Sequence, residues 1–136
     1  MPPGHALLFA LGVTLAARLP HWITWAVPLA AAPLIVALAW TGSDTLGAPL
    51  FARLSAMQAS SSANSRARKL YAVMFMLALA MEIYGTAPGN WAWHGDVPWL
   101  GLNTLNPPLA AGAFYCVLDL LVVVTTSLLQ RRLVAQ

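Results

Sequence analysis

Long apolar runs alternate with short polar segments along this chain. Four apolar runs stand out, at 4–19, 23–40, 70–84 and 108–129, and they predict helices at about 4–19, 23–40, 68–85 and 108–130. The second and fourth runs can cross a hydrocarbon core of about 30 Å at a helical rise of about 1.5 Å per residue. The first and third runs are shorter, so they need long flanking side chains or a locally thinned bilayer. An alternative interpretation makes residues 4–40 a re-entrant hairpin and leaves two full spans.

The composition supports a lipid environment. Charged residues make up 8 % of the 136-residue chain and hydrophobic residues 60 %, whereas soluble domains contain about 25 % charged residues. A small soluble protein could not cover its surface with so few charges, but a bilayer accepts an apolar exterior. We therefore expect residues 1–136 to form a single all-α integral membrane domain, a bundle of four transmembrane helices.

The basic residues predict an orientation. Arg66, Arg68 and Lys69 precede the third run, and Arg131 and Arg132 follow the fourth. Both groups lie on one side of a helical hairpin, and the positive-inside rule places that side in the cytoplasm. We expect a multi-pass protein of a cell membrane, the bacterial inner membrane, with both termini cytoplasmic. The formal charge of +3 does not indicate nucleic acid, because the basic residues flank apolar runs and form no stripe with aromatics.

The same orientation assigns the connections to the two sides. Residues 86–107 become an external loop, and the turn at 20–22 also lies outside, where Arg18 is a single charge that opposes the rule. The tryptophans then form an external aromatic belt, consisting of Trp22, Trp91, Trp93 and Trp99, with Trp40 at the inner boundary. Residues 41–69 would be cytoplasmic, with apolar positions at helical spacing that predict a short interfacial helix at about 46–58 and a Ser-rich tether after it.

Small residues are concentrated at two places where helices could approach closely. Gly12 and Ala16 form a small-xxx-small pair, and residues 110–113, at the start of the last run, are three alanines and one glycine. Such positions let helix backbones come together in membranes. An Ala-rich sequence also produces these pairs by chance.

The external loop contains most of the candidate binding residues. It is rich in Trp, Pro and Gly, unlike a disordered segment, so we expect an ordered cap. The candidates are Tyr84, Trp91, Trp93, His94, Asp96, Asn103 and Asn106. His94 and Asp96, with His21 on the same predicted side, could bind a metal. Their spacing matches no established ligand pattern, so we predict neither a metal site nor a cofactor.

Glu82 and Asp119 are the acids within apolar runs, and an ionisable residue in a membrane helix is a functional candidate. Asp119 lies about 16 Å along its helix from Pro108, near the bilayer midplane. Glu82 lies near the external end of its helix, roughly 10 Å away in depth, which argues against a carboxylate dyad. Alternatively, each acid pairs with a buried hydroxyl group and fixes helix packing.

Segment 82–93 carries Glu82, Gly85, Thr86 and Gly89, followed by Trp91 and Trp93. This acid-and-glycine pattern resembles one in membrane enzymes of carotenoid biosynthesis, over about a dozen positions of this chain. The resemblance implies acid chemistry on an isoprenoid.

Three functions are compatible with the sequence. The first is a non-catalytic accessory or structural subunit that packs against a larger membrane protein; the expected partners are the lipid bilayer and either such a protein or, as the alternative, copies of the chain. The second is a small enzyme acting on an isoprenoid or other lipid, with Glu82 and Asp119 as acid groups and Trp91 and Trp93 stabilising a carbocation. The third is an oligomeric carrier that uses Asp119. We favour the first, because the chain has few polar groups to line a transport path.

Overall fold

The computed structural model describes residues 3–59 and 65–134. These residues form five helices and one small hairpin, in the order α1 (Pro3–Arg18), α2 (Ile23–Trp40), α3 (Gly47–Ala59), α4 (Ser65–Thr86), β1 (Asp96–Val97), β2 (Leu102–Asn103) and α5 (Ala111–Val134). The predicted helical class is confirmed. The Ser-rich tether predicted after residue 59 lies largely outside the described residues.

Helix α4 is the central element of the bundle. Helices α1, α2 and α5 all pack against it, and α3 packs against α2 and α5. The core is a cluster of small and medium apolar side chains, consisting of Ala31, Ile35, Leu54, Met74, Phe75, Ala110, Ala113 and Cys116. Four of the five helices contribute to this cluster, so it ties them into one bundle.

Small residues determine how closely α1 and α5 approach α4. Gly12 lies against the Met74 side chain, and Gly112 lies against the backbone of Phe75. Ala110, Ala111 and Ala113 are at most 1 % exposed. The close helix approach predicted from these small residues is confirmed at both places.

Two contacts establish the direction of the first helices. Lys69 Nζ donates a hydrogen bond to the carbonyl oxygen of Leu19, at 3.2 Å, so the end of α1 lies beside the start of α4. The amides of Thr45 and Leu46 both donate to the carbonyl oxygen of Asn103, so the end of α2 lies beside the long loop after α4. We call these the basic end (residues 18–23 and 65–69) and the loop end (residues 41–46 and 87–110).

Helix α3 runs back along the bundle from the loop end to the basic end. At its start, Asp44 contacts the amide of Leu109. Near its other end, Ser55 and Ala59 line a surface depression together with His21. The described residues of 41–69 therefore extend from the loop end to the basic end and do not all lie at one end of the bundle, in contrast to the sequence analysis. A helix does form at nearly the predicted bounds, but it belongs to the bundle.

Because α3 runs along the bundle, the elements before it lie at the opposite end from the one that the sequence predicted. His21 and Trp22 lie at the basic end, opposite the loop, and Trp40 lies at the loop end. Because α1 is antiparallel to α4, α1 begins at the loop end, whereas α5 starts at the loop end and runs towards the basic end. The start of α1 and the end of α5 therefore do not lie at one end of the bundle, and Trp22 does not join the loop tryptophans, in contrast to the sequence analysis.

Two helices in the described part of the chain are long and apolar enough to cross a membrane. They are α2, with a mean hydropathy of 1.9, and α4, with 1.3 in its most apolar window. Helix α1 is apolar over Ala6–Arg18 but shorter. Length and composition thus identify two candidate spans where the sequence predicted four.

Candidate functional site

The carboxyl group of Glu82 lies at the junction of α4, the loop and α5. Glu82 is 2 % exposed. Oε2 accepts hydrogen bonds from the indole nitrogens of Trp91, at 2.9 Å, and Trp93, at 2.8 Å. Oε1 accepts one from the hydroxyl group of Tyr115, at 2.6 Å. We call these four residues the Glu82 clamp.

The chain after α4 folds so that the two indoles reach Glu82. The hydroxyl group of Thr86 donates to the Glu82 carbonyl oxygen at 2.7 Å, which closes the last turn of the helix. The chain reverses at Gly89, where φ is +78°, a conformation that glycine adopts without strain. The ring of Trp91 then lies directly over Gly85, where any Cβ atom would overlap it. Gly85 is therefore required for the indole to approach α4.

Tyr115 reaches the same carboxyl group from α5. Side chains on a helix tilt toward its N-terminus, which for α5 is the loop end, where Glu82 lies. The position of α5 is fixed by Gly112 against Phe75 and by Cys116, whose thiol contacts the Tyr71 carbonyl oxygen at 3.8 Å. Small residues at the start of α5 thus place the Tyr115 hydroxyl group within reach.

Hydrogen-bond chemistry limits what this carboxyl group can do. An indole N–H can only donate, so Oε2 must accept from both tryptophans. An ionised carboxylate accepts all three bonds, and bonds to a charged acceptor are stronger than neutral ones. Among the described residues, no buried side-chain nitrogen or oxygen lacks a hydrogen-bond partner. The clamp is a satisfied network that joins three segments.

An open depression of about 460 Å³ lies beside the clamp. It is lined by Met81, Glu82, Trp91, Ala92, Trp93, His94 and Tyr115. The ring of Phe114 meets the edge of Trp93, with centroids 6.0 Å apart. The walls are therefore mainly aromatic, and the Glu82 carboxyl group is the acid among the lining residues.

A second buried acid, Asp44, fixes the other side of the loop end. Asp44 is 1 % exposed. Its Oδ1 accepts from the amide of Gly47 at 3.0 Å, and its Oδ2 accepts from the amide of Leu109 at 3.1 Å. The first bond satisfies the amide of the first residue of α3, one of the amides that lack a partner within the helix, and the second attaches the entry to α5. One carboxylate thus connects two helix starts.

The remainder of the loop is held by polar contacts as well. Strands β1 and β2 pair antiparallel, with Asp96 opposite Asn103. The Asn103 amide donates to Thr45 Oγ1 at 2.8 Å. Asn106 Oδ1 accepts from the Trp93 amide at 2.9 Å, and the Thr104 hydroxyl group donates to the His94 carbonyl oxygen at 2.9 Å. These bonds connect residues 93–94 of the loop to residues 104–106, and Asn103 to the segment after α2.

His94 and Asp96 contact each other differently from what the sequence suggests. Nδ1 of His94 lies 3.1 Å from the Asp96 carbonyl oxygen and 3.3 Å from its amide nitrogen, so the contacts involve the Asp96 backbone. His21 lies at the basic end. The residues that the structure describes contain no group of three or more His, Cys, Asp or Glu side chains that could hold a metal ion.

Two other candidates lie apart from the clamp. Tyr84 is 76 % exposed and lines a separate shallow depression with Ile83 and Pro88. The side chain of Asp119 lies outside the described residues. Its position in α5 is one turn past Cys116, which contacts Tyr71, so Asp119 is separated from Glu82 by roughly 20 Å along the bundle. The structure does not bring the two acids together.

Sequence reasoning missed Asp44 and Tyr115. Asp44 lies two residues before the helix predicted at about 46–58, and an Asp close to a helix start is a signal for a contact with the first helical amides, so the role of Asp44 at α3 could have been found. Its contact with Leu109, 65 positions away, carries no local signal. Comparison of the chain with protein-family models, with curated proteins and with solved structures finds no match. The functional argument therefore depends on this geometry.

Proposed function

We propose that this chain is a small polytopic membrane protein that acts as a non-catalytic accessory subunit, packed against a larger membrane protein. The observation that carries the proposal is that the carboxyl groups of both buried acids are occupied by structural hydrogen bonds. Glu82 and Asp44 each accept hydrogen bonds from groups that hold the loop end together. Their polar chemistry is used to build a rigid cap.

The surface of α2 supports a membrane location. Only 11 % of its apolar window is buried inside the bundle, whereas the apolar core helix of a soluble protein is mostly buried. Large side chains project outward along its length: Trp25 is 59 % exposed, Leu29 68 %, Leu34 58 % and Val36 62 %. Water does not favour such a continuous apolar surface, but lipid or another apolar helix does.

The aromatic residues of α2 match the thickness of a bilayer. Trp22 and Trp25 lie at its basic end, and Trp40, which is 91 % exposed, lies at the loop end. The helix has 18 residues and is therefore about 27 Å long, close to the hydrocarbon thickness of about 30 Å. Tryptophan prefers both membrane–water interfaces, so the helix is suited to span the membrane.

The distribution of charge supports one orientation. Arg18, Arg66, Arg68 and Lys69 all lie at the basic end, and the positive-inside rule assigns that end to the cytoplasm. Arg18, which opposed the rule in the sequence interpretation, now agrees with it. In this orientation the N-terminus and the loop are external, the C-terminus is cytoplasmic, and the bacterial inner membrane is the expected location.

The Glu82 clamp is poorly arranged for acid catalysis. A general acid must hold a proton within hydrogen-bond reach of the substrate. Here three donors point at the carboxyl group of Glu82, so both of its oxygen atoms act as hydrogen-bond acceptors. The exposed apolar faces of α1 and α2, in contrast, are available for helices of a partner.

Purification from native membranes in mild detergent tests the proposal. A larger membrane protein should co-purify in fixed stoichiometry with a tagged copy of this chain. Replacing Leu29 and Val36 by Ala, on the exposed face of α2, should lower recovery of that protein, and Leu121→Ala on α5 serves as the control. Recovery of the chain alone, or as a homo-oligomer, would contradict an accessory role.

A second candidate is an enzyme acting on an isoprenoid or another lipid. The aromatic depression beside Glu82 favours it, because indole faces stabilise cations and Glu82 borders the space. In that case Glu82→Gln should abolish a lipid or pigment product, while Asp96→Asn, at an exposed carboxylate in the same loop, should not. Identical lipid and pigment profiles in cells carrying Glu82→Gln would exclude this candidate.

A further inference from the structure

We infer that the groove between α1 and α4 at the basic end binds the headgroup of an anionic phospholipid. The inference depends on the membrane location proposed above, but it does not depend on a protein partner. It rests on the shape of the groove, on the order of residues along it and on the distribution of charge.

The groove is a concavity of about 450 Å³. It is lined by Val13, Ala16, Ala17, Arg66, Ala67, Lys69 and Leu70. The space exists because three of the facing residues are alanines, while Gly12 lets α1 contact Met74 one turn farther along. Helices α1 and α4 are therefore in contact at Gly12 and Met74 and leave an open space beside the alanines.

Polar and apolar residues are separated along the groove. Arg66 lies in the first turn of α4, nearest the basic end, and Lys69 and Leu70 follow one turn farther along the helix. Val13, on the antiparallel α1, lies farther from the basic end than Ala16 and Ala17. A phospholipid has the same order, with a charged phosphate at the interface and an acyl chain directed into the bilayer. Basic pockets between transmembrane helices on the cytoplasmic side bind such headgroups.

The two basic side chains provide complementary donors. Lys69 Nζ is fixed by its bond to the Leu19 carbonyl oxygen, at 3.2 Å, and an ammonium group has further donors to offer. Arg66 is exposed, and its planar guanidinium group matches phosphate oxygens in pairs. Among the acids whose side chains the structure describes, Asp44 and Asp96 lie at the loop end, Glu82 lies in the last turns of α4 next to it, and none of the three lines the groove. The local charge therefore favours an anion.

The apolar part of the groove selects a lipid over free phosphate. Inorganic phosphate could contact only Arg66 and Lys69 at the mouth and would leave the surface around Val13 and Leu70 uncovered. An acyl chain covers that surface and gains the free energy of apolar contact. The occupant that satisfies both parts of the groove is an anionic phospholipid.

Native mass spectrometry of the purified, detergent-solubilised full chain tests the inference. Phosphatidylglycerol and phosphatidylcholine with identical acyl chains are the probes. The wild-type protein should retain phosphatidylglycerol preferentially. Arg66→Gln should weaken phosphatidylglycerol binding about fivefold, as expected for the loss of one basic group near the membrane surface, and should leave phosphatidylcholine binding unchanged. Arg53→Gln is the matched control, because Arg53 is an exposed arginine of α3 outside the groove.

Several outcomes would overturn the site. Equal retention of both lipids by the wild type would do so, as would an equal effect of Arg53→Gln and Arg66→Gln, which would indicate net charge alone. Full displacement of phosphatidylglycerol by inorganic phosphate would indicate a phosphate site. If Arg66→Gln fails to fold, Arg66→Lys, which keeps the charge but loses the planar donor pair, should still weaken binding. The lipid experiment uses the purified chain without a protein partner, so a failure to prefer phosphatidylglycerol does not contradict the accessory role. Conversely, purification of the chain without a partner protein contradicts the accessory role and does not contradict the lipid site.

Discussion

The hydroxyl group of Tyr115 donates a hydrogen bond to Oε1 of Glu82 across 2.6 Å, and so connects α5 to α4. Glu82 Oε2 is already occupied by Trp91 and Trp93 from the loop. The tyrosine is therefore the one member of the clamp that links two long helices directly. Its removal should affect helix association more than loop conformation.

Tyr115→Phe should destabilise the bundle by about 1–2 kcal/mol, because the variant loses a bond to a buried carboxyl group while the ring still fills its place. Reversible unfolding in mixed detergent micelles measures the change. Tyr84→Phe is the matched control, since Tyr84 is 76 % exposed, and it should leave stability unchanged. Equal effects of the two substitutions would contradict the role assigned to Tyr115.

Asp44→Ala should cost about 1–3 kcal/mol, because it leaves the amides of Gly47, at the start of α3, and Leu109 without their acceptor. Hydrogen exchange should accelerate at the amides of Gly47 and Leu109, the two groups that Asp44 binds. Asp96→Ala removes an exposed carboxylate at the same end and should change neither stability nor those amides. Unaltered exchange at Leu109 in Asp44→Ala would disprove the connection between α3 and α5.

Gly112→Ala should lower stability by about 1–3 kcal/mol, the range for overpacking a close contact. A Cβ atom at Gly112 would overlap the backbone of Phe75, which cannot move as a flexible side chain can. Gly95→Ala is the control, because a Cβ atom there meets nothing within 4 Å. Thermal unfolding of both variants in detergent decides the matter, and a stable Gly112→Ala protein would argue against the α4–α5 packing.

Thiol labelling of intact cells should reveal the sidedness of the protein. Trp99→Cys, at a residue that is fully exposed at the hairpin tip, should make the protein react with a membrane-impermeant maleimide. Ser65→Cys, at the start of α4, should react only after permeabilisation. Native Cys116 is 2 % exposed and should give little background. Labelling of both positions from outside would contradict the proposed orientation.

Apolar runs predicted most helices well, because hydropathy directly reports which segments avoid water. Helix α2 has the predicted bounds, and α3 differs by one residue at each end. The direction of α3 could not be predicted in the same way. Its mixed composition suits a membrane surface as well as a bundle, and only its contacts with α2 and α5 decide between them. One helix assigned to the surface was enough to place His21 and Trp22 at the wrong end.

The clamp could be predicted in part. Glu82, Trp91 and Trp93 were candidates because of their residue types in a short segment. Their mutual hydrogen bonds depend on the reversal at Gly89 and on the open face of Gly85, which a spacing pattern does not encode. Tyr115 lies 33 positions from Glu82, and its contribution depends on how α5 is positioned by Gly112. Long-range pairing of this kind requires three-dimensional information.

The position of Glu82 in the chain has a consequence for biosynthesis. Each group that donates to its carboxyl group is encoded later, at Trp91, Trp93 and Tyr115. As the polypeptide leaves the ribosome from its N-terminus, α4 emerges with this acid still unpaired, and the last donor arrives only with the final helix. Closure of the cap therefore waits for α5, and a chain truncated before that helix would keep the two indole donors to Oε2 but would lack the Tyr115 donor to Oε1.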